Sequence, residues 1–274
     1  MNLRALRIPV GLVGVLSLVS LVSLVACDDP PKKDPSAAAS ATAKATATAP
    51  TATASAAPTA TATAAAPKKK VECPATGDPV IADKALEAEL RKKLAKDGGT
   101  LSRADLAQVK SVNLTSATVN ELDACTYPLL TGMKDLFLGQ GDLEDLSPLS
   151  TLSGLMSLRS SINKVSDIKP LAGLTKMDRL DLGRTQVADI TSIGNMTALT
   201  ELQLDETQVS DLSPLRACTK LERLSIKRTP VKDVSPLKDM KKLRFLYVEG
   251  APLENANVLD GLVNNGLKII RTGK

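Results

Sequence analysis

From residue 109 onward the apolar residues fall into a pattern that returns every 22 positions. Blocks begin at Met133, Leu155, Met177, Leu199, Leu221 and Leu243. An earlier copy starts at Val109, carries Val112, Leu114 and Val119, and needs two extra residues before Met133. Within a block, alternate apolar residues such as Leu202 and Leu204 predict a short strand with one face turned inward. Val209, Leu212, Leu215 and Cys218 then carry the chain around the core. Ser213-Pro214 and Ser235-Pro236 predict an N-cap followed by proline at the first helical position, opening a short helical turn on the far side. No block can bury its own apolar face, so neighbours must stack into one continuous core. Two registers depart from the rule: Ser160 stands where Leu182 and Leu204 do, and Thr185, Thr207 and Thr229 share a polar position.

The L-x-x-L-x-L spacing resembles the leucine-rich repeat, and most closely the 22-residue bacterial class typified by the internalins. That resemblance implies an α/β solenoid: a leucine-rich repeat horseshoe with a parallel concave β-sheet and seven copies over residues 109–262. Many relatives carry Asn at the position of Thr185, Thr207 and Thr229. The ends of such a stack need covers. Leu86, Leu90 and Leu94 predict an amphipathic helix over 80–96, and Ser102 with Asp105 resembles a capping box opening a second one. This pair resembles the helical cap of exported bacterial members, here spanning 71–108. At the other end 258–265 reads as helix with Gly266 as its C-cap, then 267–270 as a closing strand, giving a C-terminal cap over 263–274.

The first 70 residues have a different character. Arg4 and Arg7 precede an apolar run over 8–26, the pattern of an export signal. Its end, Leu24-Val25-Ala26-Cys27, resembles the lipobox of bacterial lipoproteins, which implies a signal peptide over 1–26 and a lipidated Cys27, an uncleaved signal anchor being the alternative. Acyl chains of that kind would hold the body to an inner or outer membrane. Residues 27–70 read as a tether: from Ser36 to Pro67 every residue but Lys44 is Ala, Thr, Ser or Pro, leaving nothing to pack. A flexible chain of that size spans roughly 35 Å on average.

Composition then narrows the chemistry. The chain has no His, which removes imidazole nucleophile activation and His-ligated zinc. Its net charge of +5 resides in the first 70 residues, because 71–274 holds 27 cations and 27 anions. That balance argues against nucleic acid as a partner. No cofactor is implied. Asp145, Asp167, Asp189, Asp211 and Asp233 recur at one register; a whole repeat separates successive copies, so turn hydrogen bonds explain each better than calcium does. Cys218 takes the core position of Leu174 and Met196, which predicts a buried, inert thiol. Export permits a disulfide, and Cys73 with Cys125 forms the expected pair, two unpaired thiols being the alternative.

Strand positions pointing away from the core give the candidate binding surface: Asp135, Phe137, Arg159, Arg179, Asp181, Arg184, Glu201, Gln203, Asp205 and Glu206, then Arg223, Lys227, Arg228, Phe245, Tyr247 and Glu249. Aromatic and Arg side chains are the usual anchors of protein interfaces. The expectation is a non-enzymatic envelope lipoprotein whose concave face, centred on Arg179, Asp181, Arg184, Glu201, Glu206, Arg223, Arg228, Phe245 and Tyr247, binds a protein, on a monomeric body. Three other readings stay open at this point. The face could be merely solvated, its charges paired across strands. An envelope hydrolase would need a deep pocket enclosing two carboxylates such as Asp181 and Glu201. A glycan-binding adhesin would need a groove of stacking aromatics.

Overall fold

The computed structural model describes residues 73–74 and 76–271. The export signal, Cys27 and the tether expected over 27–70 lie outside the described residues. Eight strands form one parallel sheet in strict sequence order. They are β1 Ser111–Asn113, β2 Asp135–Phe137, β3 Ser157–Arg159, β4 Arg179–Asp181, β5 Glu201–Gln203, β6 Arg223–Ser225, β7 Phe245–Tyr247 and β8 Lys268–Ile270. Each is three residues long, because only the middle residue of each triplet must face the core. Leu136, Leu158, Leu180, Leu202, Leu224 and Leu246 sit directly opposite one another across successive strands, all buried. Each contributes roughly 1.5–3 kcal/mol. This is the leucine-rich repeat solenoid that the 22-residue period predicts.

The return path on the far side is a short 3₁₀ turn in each repeat, for example Ser147–Leu149, Ser213–Ala217 and Ser235–Leu237. Its capping differs from the serine caps expected. Ser213 and Ser235 are the first residues of their turns, preceded by Leu212 and Val234, and neither turn has a side-chain cap of its own. The carboxylate two residues upstream takes that part: Asp145, Asp167, Asp189, Asp211 and Asp233 each accept the backbone N–H two residues on, at 2.7–2.8 Å. The donor is the N–H of the turn's own first residue, which a serine hydroxyl at that position cannot cap, so the carboxylate fixes where the turn begins.

Helix α1, Lys84–Leu94, is shorter than its apolar pattern because Asp83 caps it, accepting from the N–H groups of Ala85 and Leu86. Helix α2, Arg103–Gln108, opens on a complete capping box between Ser102 and Asp105. The Lys96 ammonium and the Ser102 hydroxyl hold the Asp105 carboxyl down at about 2. Leu86, Leu90 and Leu106 join the core, so the helices close the β1 end of the sheet. At the other end a 3₁₀ turn, Ala256–Leu259, runs into α3, Asp260–Asn264. Asn265 is the C-cap, and Gly266 follows at φ +100°, a left-handed conformation that suits glycine. The turn after β1 lies so close to β2 that a Cβ on Gly139 would stand 1.8 Å from the Ala117 carbonyl oxygen; the two extra residues of the first repeat fall later, between Leu122 and Leu130.

Ser160 is fully buried in the ladder between Leu138 and Leu182, and its hydroxyl has no hydrogen-bond partner among the described residues. Ser160→Ala should therefore stabilise the protein by about 1 kcal/mol. A midpoint in thermal unfolding that falls instead of rising by a few degrees would contradict this.

Candidate functional site

The concave sheet presents its side chains in rows fixed by strand register. The first strand positions run Asp135, Ser157, Arg179, Glu201, Arg223, Phe245 and Lys268; the third run Phe137, Arg159, Asp181, Gln203, Ser225 and Tyr247. All nine residues of the expected binding centre lie in these rows or just beyond them. Phe137 stands at the other end of the sheet from Phe245 and Tyr247, and the fourth aromatic, Tyr127, is buried in the first repeat.

A further row lies four residues after each strand centre from β3 to β7. Ile162, Arg184, Glu206 and Arg228 adopt φ of 59°, 56°, 56° and 52°, and Gly250 follows at 71°. Left-handed backbone costs a side-chain-bearing residue roughly 1–2 kcal/mol. The cost is offset between repeats: the N–H of Ile162, Arg184, Glu206 and Arg228 each donates to a carbonyl of the next turn, at 2.9, 2.7, 2.8 and 2.7 Å. The geometry turns three of the expected residues, Arg184, Glu206 and Arg228, outward along the rim. It also exposes Ile162, which the sequence reading did not single out although its 22-residue offset from Arg184 was available.

Charges pair along the face. Arg159 lies 3.4 Å from Asp181, Arg184 3.4 Å and Arg228 3.2 Å from the same Glu206 oxygen, and Lys227 3.7 Å from Asp205. These are solvated pairs, each worth at most about 1 kcal/mol. Arg179 instead reaches Asp178, at 3.6 Å, while Glu201 accepts from the Gln203 amide. Around the last strands the cations turn to rings. Arg223 and Lys268 stand 5.3 and 5.8 Å from the Phe245 centroid, and Lys227 5.3 Å from that of Tyr247. Such contacts hold both ring and cation in place.

Between β5 and β7 these side chains border a hollow of about 170 Å³, lined by Glu201, Gln203, Asp205, Arg223, Lys227 and Tyr247. A second hollow of about 360 Å³ follows the rim past Ile162, Arg184, Glu206 and Arg228. Asp205 is committed to the Ser225 hydroxyl and the Lys227 N–H, and Asp181 to the Gly183 N–H and Arg159.

The other candidate residues fall outside this face. Cys73 and Cys125 are joined in a disulfide that ties the segment before α1 to the first repeat. Cys218 is buried, and burial pushes its thiol up to about 11. The recurring aspartates serve their turns. The Thr191 hydroxyl and N–H hold Asp189 below the usual carboxylate range, and Ser235 with Asn255 does the same for Asp233. Among the described residues no three His, Cys, Asp or Glu side chains converge as a metal ion would require, and no helix is long and apolar enough to cross a membrane.

No family model matches the chain, and no curated protein matches it in sequence. Solved structures do. An internalin C2 from Listeria monocytogenes superposes with a TM-score of 0.65 at 24% identity, covering 74% of this chain and all (100%) of that one. An internalin F from the same species gives 0.63 at 28% identity, over 69% of this chain and 55% of its own. A leucine-rich repeat protein of Leptospira interrogans gives 0.53 at 16%, over 60% and 49%. The chain thus has the leucine-rich repeat fold of bacterial internalins, an architecture whose concave surface commonly receives protein partners.

Proposed function

We propose that this chain is a non-enzymatic recognition module of the bacterial cell envelope, held to a membrane by lipid on Cys27, which binds a protein partner through its concave sheet. The observation carrying the reading is the aromatic platform at the C-terminal end of that sheet. Phe245 and Tyr247 sit half-buried on one strand, with Arg223, Lys227 and Lys268 fixed against them. Binding to an array already held in place loses little conformational entropy. The paired charges upstream, Arg159 with Asp181 and Arg184 with Glu206 and Arg228, would set orientation and association rate more than affinity.

The alternatives have less support. Small-molecule sites usually enclose at least about 300 Å³; the hollow beside Glu201 and Asp205 has about 170 Å³, and the rim hollow of about 360 Å³ reaches that size with Asp181, Asp205 and Glu206 already paired to Arg159, Lys227, Arg184 and Arg228. Asp181 and Asp205 spend their oxygens on neighbouring donors rather than facing a substrate. A stacking site for sugar rings would need bare aromatic faces, and here cations lie over them.

The test is capture of partners from envelope extract with the full-length protein as bait, followed by affinity measurement on the partner recovered. Phe245→Ala with Tyr247→Ala should weaken binding by 1 kcal/mol or more, at least about fivefold. Lys169→Ala, on the convex side, should leave it unchanged. Loss of binding in the convex variant with retention in the concave one would assign the wrong face.

A further inference from the structure

The described body has balanced charge, yet the charge is not evenly placed around the solenoid. Each repeat leaves its strand by one flank and returns to the next strand by the other. The departing flank carries the carboxylate row from Asp145 to Asp233. The returning flank of the last two full repeats is basic: Lys220, Lys238, Lys241, Lys242 and Arg244 are all exposed there. Glu222 and Asp239 stand among them, but none of the five lies within 4 Å of a carboxylate among the described residues. The concave face behaves differently, with most of its cations held against an anion or a ring.

Physical chemistry makes the unpaired arrangement a cost. Lys220 and Lys242 are 22 residues apart, the same position in stacked turns, and stacked turns follow the strand spacing of about 4.8 Å. Like charges facing each other at that distance are destabilising, and nothing in the fold requires them. None of the hollows on the concave face borders the patch and no aromatic lies among its residues, so it lacks the apolar centre of a protein interface. What it offers is a spread of flexible ammonium groups, which suits an extended anionic plane rather than a shaped ligand. Val263, on the returning segment of the next turn, is 42% exposed and adds an apolar contact at the same end.

We propose that this flank seats the solenoid on a membrane surface rich in anionic phospholipid headgroups. Each Lys or Arg near such a surface multiplies the affinity roughly fivefold. The carboxylate flank is repelled from it, so the body lies with one edge down and its concave sheet open to the side. The lipid on Cys27 belongs to the reading above; it would supply proximity but is not needed for the contact itself.

The experiment uses the full-length protein with vesicles of phosphatidylcholine alone or mixed with phosphatidylglycerol. A water-soluble acetylating reagent then reports, by peptide mass spectrometry, which lysines are covered. Lys220, Lys238, Lys241 and Lys242 should be protected at least fivefold by the anionic vesicles, and Lys164 and Lys232 on the departing flank should not. Raised salt should remove the protection. A triple variant, Lys238→Gln, Lys241→Gln and Lys242→Gln, should lose at least tenfold in affinity for anionic vesicles, while Lys164→Gln should not. Equal protection on both flanks, or equal protection by neutral vesicles, would overturn the proposal. So would equal protection by duplex DNA at matched charge, which would make the flank a general polyanion site. Failure to partition onto neutral vesicles, with the lysines still protected on anionic ones, would count against the lipid on Cys27 and still support the flank.

Discussion

Replacing Cys73 and Cys125 by Ser should lower the thermal unfolding midpoint by roughly 10 °C. The bridge spans 52 residues of sequence. Closing a loop of that size removes about 4 kcal/mol of unfolded-state entropy, and 1 kcal/mol moves the midpoint of a domain this size by about 2–4 °C. What the bridge holds gives the loss a location. It fastens the segment before α1 to the first repeat, and Leu86 and Leu90 of α1 sit in the core at the β1 end. In a stack whose turns touch only their neighbours, a loosened cap destabilises the first turn most. Hydrogen exchange should therefore speed up at β1 and β2 in the double variant and change little at β6 and β7. Calorimetry showing no fall in the midpoint would mean that the bridge contributes nothing to the cap.

Asn163→Ala should cost about 3 kcal/mol, and Thr207→Ala about 1 kcal/mol, although both residues occupy the same register. The Asn163 amide donates to the carbonyls of Gly139 and Ser161, both at 3.0 Å, and its oxygen accepts from the Leu143 N–H at 3.3 Å. Removing it leaves three buried backbone groups unpaired, drawn from two adjacent turns. The Thr207 hydroxyl makes one bond, to the Leu204 carbonyl of its own turn at 2.7 Å, as Thr185 and Thr229 do to Leu182 and Ile226. Urea unfolding of the two variants in parallel reads the difference, and equal losses would show that the inter-turn bonds contribute nothing.

That contrast marks how far the sequence could be read. The period, the inward leucines and the strand register follow from apolar spacing, because burial admits one solution when each turn is too thin to have its own core. The outward rows of the concave sheet were legible for the same reason: whatever is not inward on a three-residue strand is outward. Competition between local donors and acceptors was harder to read. Ser213 and Ser235 suggest caps, but each is the first residue of its turn and donates its own N–H to Asp211 or Asp233. The special position of Asn163 was visible in principle, 22 residues before Thr185, although its three partners come from the folded chain alone. The left-handed row had no signal in residue type, since Ile, Arg and Glu rarely take that conformation and here adopt it only because the next turn supplies the acceptor. Nor could the cation over Phe245 from Lys268 be read, because the closing strand breaks the 22-residue count: Phe245 pairs with Lys268, one residue later than the period gives.

The order of the sheet also fixes how the molecule bears a load. Strands follow one another β1 to β8, each bonded only to its sequence neighbours, so tension applied between the two ends reaches the rungs in series. The weakest turn opens first and passes the same force to the next, each 22-residue turn lengthening the chain by roughly 75 Å at full extension. The stretch enclosed by Cys73 and Cys125 is exempt, because its covalent clasp carries the pull across a sequence separation of 52. The solenoid is thus a spring with one end clamped, and under the binding proposed above a pull at Phe245 and Tyr247 would be borne by the unclamped turns.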